Sequence, residues 1–215
     1  MLKLNFLYTF FNLLFCKQAM SYILSGKSLL FFEKRKMLSN EYYNSGKDVI
    51  LFFEKQFCKK LCFDYNNIPP DNMRKRGSLI CKIIGKVGKS FLIEQPFMCD
   101  YGYNIEIGEN FCSSHNLLIL DPAKVKFGDN VFVGPNCSFY TSCHPIESDL
   151  RNMGLSSARP IEVGNNVWFG GNVVVLGGVK IGDNAVIGAG SIVKEDIPAN
   201  SVAVGNPCKV VKETV

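Results

Sequence analysis

The sequence predicts a mainly β protein, a parallel β-helix or hexapeptide-repeat solenoid, with a small N-terminal α-helical region. The first observation is a six-residue period that runs without a break from Val163 to Val193. Each unit opens with a branched aliphatic residue or Phe, has Gly second in all but one case, and has a small or β-branched residue fifth. This period fits neither an α-helix nor an alternating strand, and three such units make one turn of a triangular coil.

The second observation is composition. Of 215 residues, 47% are apolar, which is enough for a core, and the net charge of +5 is mild. Lys and Arg are scattered rather than clustered, so nucleic-acid binding is not expected. The nine cysteines form no Cys-x-x-Cys pair, which favours reduced cysteines in a cytoplasmic protein. We interpret Cys137, at a fifth position of the repeat, as a small buried hydrophobic residue.

Residues 1–35 form an apolar extension of unclear status. The run from Leu4 to Phe15 follows a single Lys3, as in a weak signal peptide or short anchor. It is too short for an ordinary transmembrane helix and lacks a clean cleavage site. We interpret it as an unusual extension or an over-called gene start, with Met20 or Met37 as the initiator. Membrane association is expected only if this segment is retained.

Residues 36–90 read as a helical region. The pattern is helical from Lys34 to Asn67, with Asp48 able to cap a helix start. Apolar residues recur at threes and fours and predict a packing face: Val49, Phe52, Phe53, Phe57 and Leu61. Two prolines, Pro69 and Pro70, break the segment. A second short helix is expected from Asn72 to Ile84, with Gly85 as its stop.

Residues 91–215 form the solenoid. Further inward-pointing first positions are predicted at Ile93, Cys99, Ile107, Ser113, Ile119, Phe127, Val133 and Phe139. The step is six within each coil and eight between coils, so these coils have 20 residues. The period fails over residues 142–162, which we expect to project as a loop. Two prolines, Pro198 and Pro207, belong to a C-terminal cap over the open end.

His144 is the candidate catalytic residue, because it lies where the repeat fails and a histidine can act as a general base near neutral pH. The chain has only two histidines. A metal-binding β-helix of the carbonic-anhydrase kind needs about three imidazoles from neighbouring coils, so no metal is expected to be required.

Several motifs carry a resemblance to a known family: Pro96–Ile105, Ile107–Phe111, Ile119–Asp121, Gly128–Val131, His144-Pro145, Ile161–Trp168 and Gly205–Val211. Together they resemble the maltose/galactoside O-acetyltransferase family, in order, from about Lys36 to Val211. The resemblance implies a left-handed parallel β-helix that moves acetyl from acetyl-CoA, a co-substrate, to a sugar hydroxyl. It also implies a homotrimer with intersubunit active sites, in which His144 of one chain faces the Trp168 side of another.

The resemblance assigns site residues. His144 matches the catalytic histidine and would act by direct transfer rather than through an acyl-enzyme, with the Gly171 N–H as a candidate donor to the oxyanion. Substrate contacts carry over to Asp100, Ser114 and Asp121, with Asn116 nearby. Two departures from the family pattern are Ser114, commonly Asn, and Pro122, where galactoside enzymes carry a second Asp. The second departure favours a maltose-type or other acceptor.

The resemblance also implies the acetyl-CoA site. Its matching positions are Trp168, Gly171, Ala189, Lys194, Glu195, Lys209 and Lys212. Lys209 and Lys212 stand where Arg is frequent, and they can neutralise phosphates without the bidentate fork of Arg. Glu195 stands where Lys is common and removes a positive charge. We therefore expect weaker CoA binding than in a typical member, with Lys194 compensating in part.

Two alternatives remain open at the level of sequence. The acceptor could be an amino sugar, serine, a streptogramin or chloramphenicol, as in related β-helix transferases. The chain could also be a catalytically silent solenoid scaffold, a reading that Ser114 and Glu195 keep open and that His144 and Trp168 oppose.

Overall fold

A computed structural model describes residues 32–213. Its main body is a parallel β-solenoid whose short strands stack into three faces, as the six-residue period predicts. The first face contains β1 (Phe91–Ile93), β4 (Phe111–Ser113), β7 (Phe132–Val133), β12 (Trp168–Phe169), β15 (Val186–Ile187), β17 (Ser201–Val204) and β18 (Lys209–Glu213). The second contains β2 (Phe97–Cys99), β5 (Leu117–Leu120), β8 (Ser138–Tyr140), β13 (Val174–Leu176) and β16 (Ile192–Val193). The third contains β3 (Ile105–Glu106), β6 (Val125–Phe127), β11 (Ile161–Val163) and β14 (Lys180–Ile181).

The chain visits the faces in the order first, second, third. We call the turn from first to second face the 1–2 corner, and name the 2–3 and 3–1 corners likewise. Paired strands confirm the predicted coil lengths: Phe91 pairs with Phe111 twenty residues on, and Val163 with Ile181 eighteen residues on. Within the three faces of the described coil only β18 runs antiparallel, against β17, at the end of the first face.

The core is a narrow column inside the coil. Every first-position residue named from the sequence is buried, as predicted. Four phenylalanine rings stack along the axis, with centroids 5.1, 4.9 and 5.3 Å apart, in the order Phe111, Phe127, Phe139 and Phe169. Their edge-to-face packing stabilises successive coils beyond the effect of apolar burial alone.

An asparagine ladder lines the 3–1 corner. Asn110, Asn130, Asn166, Asn184 and Asn200 all have positive φ, a conformation that asparagine tolerates better than most residues. Each side-chain amide donates to the amide oxygen of the asparagine one coil further on, over 2.7–3.0 Å. The ladder therefore satisfies the exposed amides and fixes the coil register.

The N-terminal region contains α1 (Phe32–Leu38), a 3₁₀ turn (Ser45–Lys47), α2 (Val49–Asn66) and α3 (Met73–Ile83). The predicted continuous helical pattern from Lys34 is wrong between Ser39 and Asp48, where Asn40 has positive φ and the chain turns. Asp48 caps α2 as predicted, accepting from the N–H groups of Ile50 and Leu51. The second helix is confirmed within a residue at each end, with Asn72 as its N-cap.

The predicted packing face of α2 is wrong at four of its five residues, and of the five only Leu61 packs against the core. Phe52 and Phe57 are 54% and 64% exposed, and Val49 and Phe53 are exposed as well. The buried face instead contains Leu51, Cys58, Cys62 and Tyr65. Its small thiol side chains let the helix lie close to β2, where the side chain of Asn66 pairs with the backbone of Phe97.

The projecting loop leaves the coil at the 2–3 corner after β8. It contains β9 (Ser142–Cys143), α4 (Ser148–Asn152) and β10 (Ser157–Ala158), and β9 and β10 form an antiparallel pair. The coil resumes at Ile161, which pairs with Val125, so the excursion ends slightly before the predicted residue 162.

None of the described helices has both the length and the hydrophobicity needed for a membrane span. The predictions for the apolar run from Leu4 to Phe15 concern residues outside the described part of the chain.

Candidate active site

His144 is the centre of the candidate site, and its backbone surroundings fix its imidazole. Nδ1 lies 3.1 Å from the carbonyl oxygen of Leu155 and 3.3 Å from Oγ of Ser156. A carbonyl can only accept, so in the neutral ring Nδ1 carries the hydrogen and Nε2 carries the lone pair. The side chain is exposed. This arrangement presents a proton acceptor, Nε2, to the outside of the coil.

The loop that carries His144 is docked on the N-terminal region. Tyr43 and Ser156 exchange two backbone hydrogen bonds, of 2.9 and 2.8 Å. The Asn44 side chain donates to the carbonyl of Met153 over 2.7 Å. Because these contacts hold both Ser156 and its neighbour Leu155, they also hold the imidazole that these residues contact.

Asp100 and Asp121 lie at the same 2–3 corner, on successive coils. The Asp121 carboxylate accepts the N–H groups of Asp100, Tyr101 and Gly102 over 3.0, 2.9 and 2.7 Å. Burial raises the pKa of the Asp121 carboxyl to about 7, and the three amide donors oppose that rise. The sequence places Asp121 among the substrate contacts, but its side chain is fully buried. It holds the Asp100 turn, and the Asp100 side chain is the more accessible of the two, at 11% exposure.

Asp100 has a partner that the sequence did not predict. The Nζ of Lys55, on α2, lies 2.8 Å from its Oδ1. Close by on the same helix, Glu54 accepts the Tyr103 hydroxyl over 2.9 Å. The helical region therefore reaches the 2–3 corner with two charged side chains, Lys55 and Glu54.

Ser114 and Asn116 lie elsewhere, at the 1–2 corner. The Asn116 amide already donates to the side-chain oxygen of Asn136 over 2.9 Å, and Asn116 has positive φ. Its first role is thus in the corner itself. Ser114 is half-buried, and its N–H donates to the Val133 carbonyl.

Gly171 and Ala189 share the 1–2 corner with Ser114, on the last regular coils. The backbone is tightly stacked here: a Cβ placed on Gly170 would come within 2.6 Å of the Ala189 nitrogen. A side chain at Gly170 would therefore separate the coils. Within the described chain, the N–H of Gly171 donates to no acceptor, so it is available to a ligand.

Trp168 and Lys212 point outward from the first face. Trp168 is 57% exposed, beside Phe132 and Val186, and Lys212 pairs with Val202 at the end of the same face. This face offers a flat apolar strip with a cation at its end.

Lys194 and Glu195 follow β16 at the 2–3 corner. Glu195 accepts a hydrogen bond from the Lys209 ammonium over 2.7 Å, and that contact lowers the pKa of Glu195. Lys194 lies 3.9 Å from the same carboxylate group. Two of the predicted phosphate-binding cations are therefore turned toward a carboxylate of their own chain.

Within one chain nine of the predicted site residues fall into two groups separated by the second face, while Trp168, Lys209 and Lys212 belong to the first face. His144, Asp100, Asp121, Lys194 and Glu195 lie at the 2–3 corner, while Ser114, Asn116, Gly171 and Ala189 lie at the 1–2 corner. A three- to four-residue strand at ~3.3 Å per residue separates the corners by roughly 10 Å or more. One chain does not bring Trp168 and His144 together.

Two protein-family models match this chain. A model described as the bacterial transferase hexapeptide (six repeats) matches residues 160–195, and one described as the maltose acetyltransferase hexapeptide capping motif matches residues 36–88. The fold and these motifs define a hexapeptide-repeat acetyltransferase.

Individual relatives narrow the class. Galactoside O-acetyltransferase of Escherichia coli (strain K12) is 46% identical over 72% of this chain and 76% of its own length. The crystal structure of a maltose O-acetyltransferase from Clostridium difficile 630 is 48% identical, with a TM-score of 0.84 over 85% of this chain and 97% of that one. A galactoside acetyltransferase in complex with coenzyme A is 40% identical, with a TM-score of 0.83 over 85% and 91%. The chain belongs to the maltose/galactoside O-acetyltransferase family, and it is an acetyltransferase.

Proposed function

We propose that this acetyltransferase moves the acetyl group of acetyl-CoA directly onto a hydroxyl of a sugar, with His144 as the general base. The observation that carries the proposal is the contact between His144 Nδ1 and the Leu155 carbonyl. It leaves Nε2 as a fixed, outward-facing proton acceptor. The solved galactoside acetyltransferase with bound coenzyme A supports the choice of cofactor.

In the proposed reaction Nε2 takes the proton of the acceptor hydroxyl as that oxygen attacks the thioester carbonyl. The tetrahedral oxyanion then collapses, the C–S bond breaks, and the imidazolium returns the proton to the departing sulfur. The Gly171 N–H would stabilise the oxyanion, because a preorganised backbone donor is strongest where charge develops. No covalent acyl-enzyme is required.

The acceptor half of the proposed site is the 2–3 corner. An Asp100 carboxylate can accept hydroxyl hydrogen bonds at two oxygens, one of which already faces Lys55. Asp121 would act as a positioning residue, because it binds the backbone of Asp100 itself. Ser114 and Asn116 belong to this proposal only if they reach the acceptor from a neighbouring chain.

The acetyl-CoA half is the first face and the 1–2 corner. Trp168 would pack on the apolar part of the cofactor, Gly171 and Ala189 would line its path along the closely stacked corner, and Lys212 would face its phosphates. Lys194 and Lys209 can contribute to cofactor binding only by leaving the Glu195 carboxylate for a phosphate of acetyl-CoA. This competition supports the expectation of weak CoA binding.

These halves would meet between chains, in a homotrimer. The separation of the two corners in one chain supports this part of the proposal, since the 2–3 corner of one protomer can face the first face of the next. Cyclic assembly makes the three resulting sites equivalent.

Turnover of acetyl-CoA with a panel of sugars, amino sugars, serine and small amines tests the reaction. We expect sugar-dependent CoA release that His144→Ala reduces by roughly 10²- to 10⁴-fold. His115→Ala is the matched control, because its Nδ1 also contacts a backbone carbonyl, that of Gln95 at 2.7 Å, but at the other corner. It should lose far less activity. CoA release with amines alone would mean that the acceptor is an amine and not a sugar. Absence of any His144-dependent release would refute the enzyme mechanism.

Mixed trimers test the intersubunit site. His144→Ala and Trp168→Ala chains, each weakly active, are unfolded together, refolded and assayed beside each parent. Random assembly should rebuild about a quarter of the sites with both native side chains. No recovery, in trimers shown to be mixed by mass, would place each site within one chain.

A further inference from the structure

Three cysteines converge between the helical region and the first coil. Cys58 and Cys62 lie one helical turn apart on the buried face of α2, and Cys99 ends β2. The Cys99 sulfur lies 3.4 Å from that of Cys58 and 3.8 Å from that of Cys62. All three sulfurs lie within 4.8 Å of one another. The residues are only 2, 4 and 5% exposed.

The simplest explanation is that each cysteine fills space as a small apolar side chain. That explanation accounts for their burial but not for the convergence of three sulfurs on one point. All three cysteines belong to the apolar core of the coil. The cysteines come from two elements 37 or more residues apart, so helix periodicity alone does not bring them together.

We propose that Cys58, Cys62 and Cys99 bind one soft monovalent metal ion of the Cu(I) class through their three sulfurs. Thiolate sulfur selects soft ions, chiefly Cu(I), zinc and iron–sulfur clusters. Structural zinc is almost always four-coordinate. In the described part of the chain this cluster contains three metal-binding side chains and no histidine or carboxylate as a fourth. A three-sulfur set therefore suits Cu(I) better than zinc.

Metal binding releases thiol protons to solvent, because the thiolate is the form of cysteine that binds a metal ion. The cluster should therefore take up its ion more readily as pH rises.

The ion would join α2 to the end of β2, next to Asp100. The helix α2 also carries Lys55, the partner of Asp100. Because the sulfurs are buried, the ion must enter during folding or by local opening. A loaded cluster would stabilise the folded chain, since an ion that binds only the folded state shifts the unfolding equilibrium.

The test is copper stoichiometry in refolded full-length protein. The exposed Cys81 and Cys143 are first replaced by Ser to remove surface binding. This background protein is refolded without oxygen in Cu(I) buffered by a chelator, freed of the chelator, and assayed for copper per chain. We expect one Cu(I) per chain, a sulfur-to-copper charge-transfer band, and a higher unfolding temperature than in the copper-free protein.

Adding Cys99→Ser should abolish all three effects. Cys137→Ser is the matched control: this thiol is also buried but contacts the Gly170 carbonyl in another part of the coil, so it should keep the copper. If Cys99→Ser does not fold, Cys62→Ser provides the same comparison. A folded background protein without bound copper, or a folded Cys99→Ser or Cys62→Ser variant that binds as much copper as the background protein, would overturn the proposal.

Discussion

The Lys55 ammonium lies 2.8 Å from the Asp100 carboxylate and joins helix α2 to the 2–3 corner of the coil. The carboxylate is mostly buried, at 11% side-chain exposure, whereas the lysine remains 37% exposed. The pair orients the acid that we propose as the acceptor contact. In the proposed site the helical region would therefore orient an acceptor contact as well as cap the solenoid.

Replacing Lys55 by Met should raise the KM for the acceptor by about three- to tenfold and leave kcat nearly unchanged, because a partly exposed ion pair of this kind contributes a modest energy. Steady-state kinetics at saturating acetyl-CoA measures the split. Lys59→Met, an exposed lysine on the same helix, is the control. Equal effects of the two substitutions would mean that helix charge in general, not the Asp100 contact, governs acceptor binding.

Glu195→Gln should lower the KM for acetyl-CoA by roughly two- to fivefold, since it frees the Lys209 ammonium for phosphate. The gain should shrink at high salt, because the groups involved are exposed. Titration of coenzyme A by calorimetry at two salt concentrations checks both statements. Glu162→Gln, which removes an exposed glutamate of the third face near Lys180, is the control. A higher KM in the Glu195 variant would show that this carboxylate assists cofactor binding.

Asp121→Asn should destabilise the fold by about 1–3 kcal/mol, because an amide nitrogen would face one of the backbone N–H groups that the carboxylate now accepts. The penalty should also depend on pH. A folded-state pKa raised to about 7 means that the folded protein holds this proton more tightly than the unfolded chain. The contribution is therefore fully present below pH 4 and is lost as pH rises through about 7.

Denaturant unfolding of wild type and Asp121→Asn at pH 5.5 and pH 8 measures this dependence. The difference between the two proteins should be larger at the lower pH. A difference that grows as pH rises would mean that the amide donors outweigh burial and lower the pKa of the Asp121 carboxyl.

The corrected orientation of α2 predicts an asymmetry between two apolar residues. Leu51 is fully buried beside Tyr43 and Tyr101, so Leu51→Ala should cost about 2–5 kcal/mol of stability. Phe57 is exposed, so Phe57→Ala should change stability by less than about 0.5 kcal/mol. Thermal unfolding of both variants checks this. A large loss from Phe57→Ala would mean that another surface covers this face in the assembled protein.

The coil was predictable because its determinants are local and repeat. The inward positions from Ile93 to Val193 follow from a six-residue pattern that can be recognised in each unit and that repeats along the chain. The end of α3 was predictable from a local signal as well, since Gly85 follows the last apolar residues of the helical pattern. The structure adds a second reason for this glycine, because a Cβ would come within 2.3 Å of the Tyr103 carbonyl oxygen.

The rest depends on contacts between distant segments. Both faces of α2 carry apolar residues at helical spacing, and only the shape of the coil end selects the face with Leu51 and Cys62. The sequence marks His144 through the failure of the repeat, but the partners that orient it come from Leu155 and, through Ser156, from Tyr43. Burial of Asp121 is likewise invisible in a motif, because the same acid could face a ligand or hold a turn.

The asparagine ladder at the 3–1 corner has an evolutionary consequence. Every hydrogen bond of the ladder runs in the same direction along the axis. The Asn166 side chain, for example, donates to the side chain of Asn184 eighteen residues on. A duplication of that length would insert one complete coil and present the same donor and acceptor to its neighbours. Deletion of such a unit would likewise leave matching ends. The solenoid can therefore change length by whole coils. Extra residues within a coil are also tolerated where they leave the 3–1 corner unchanged, since Asn130 still donates to Asn166 across the projecting loop.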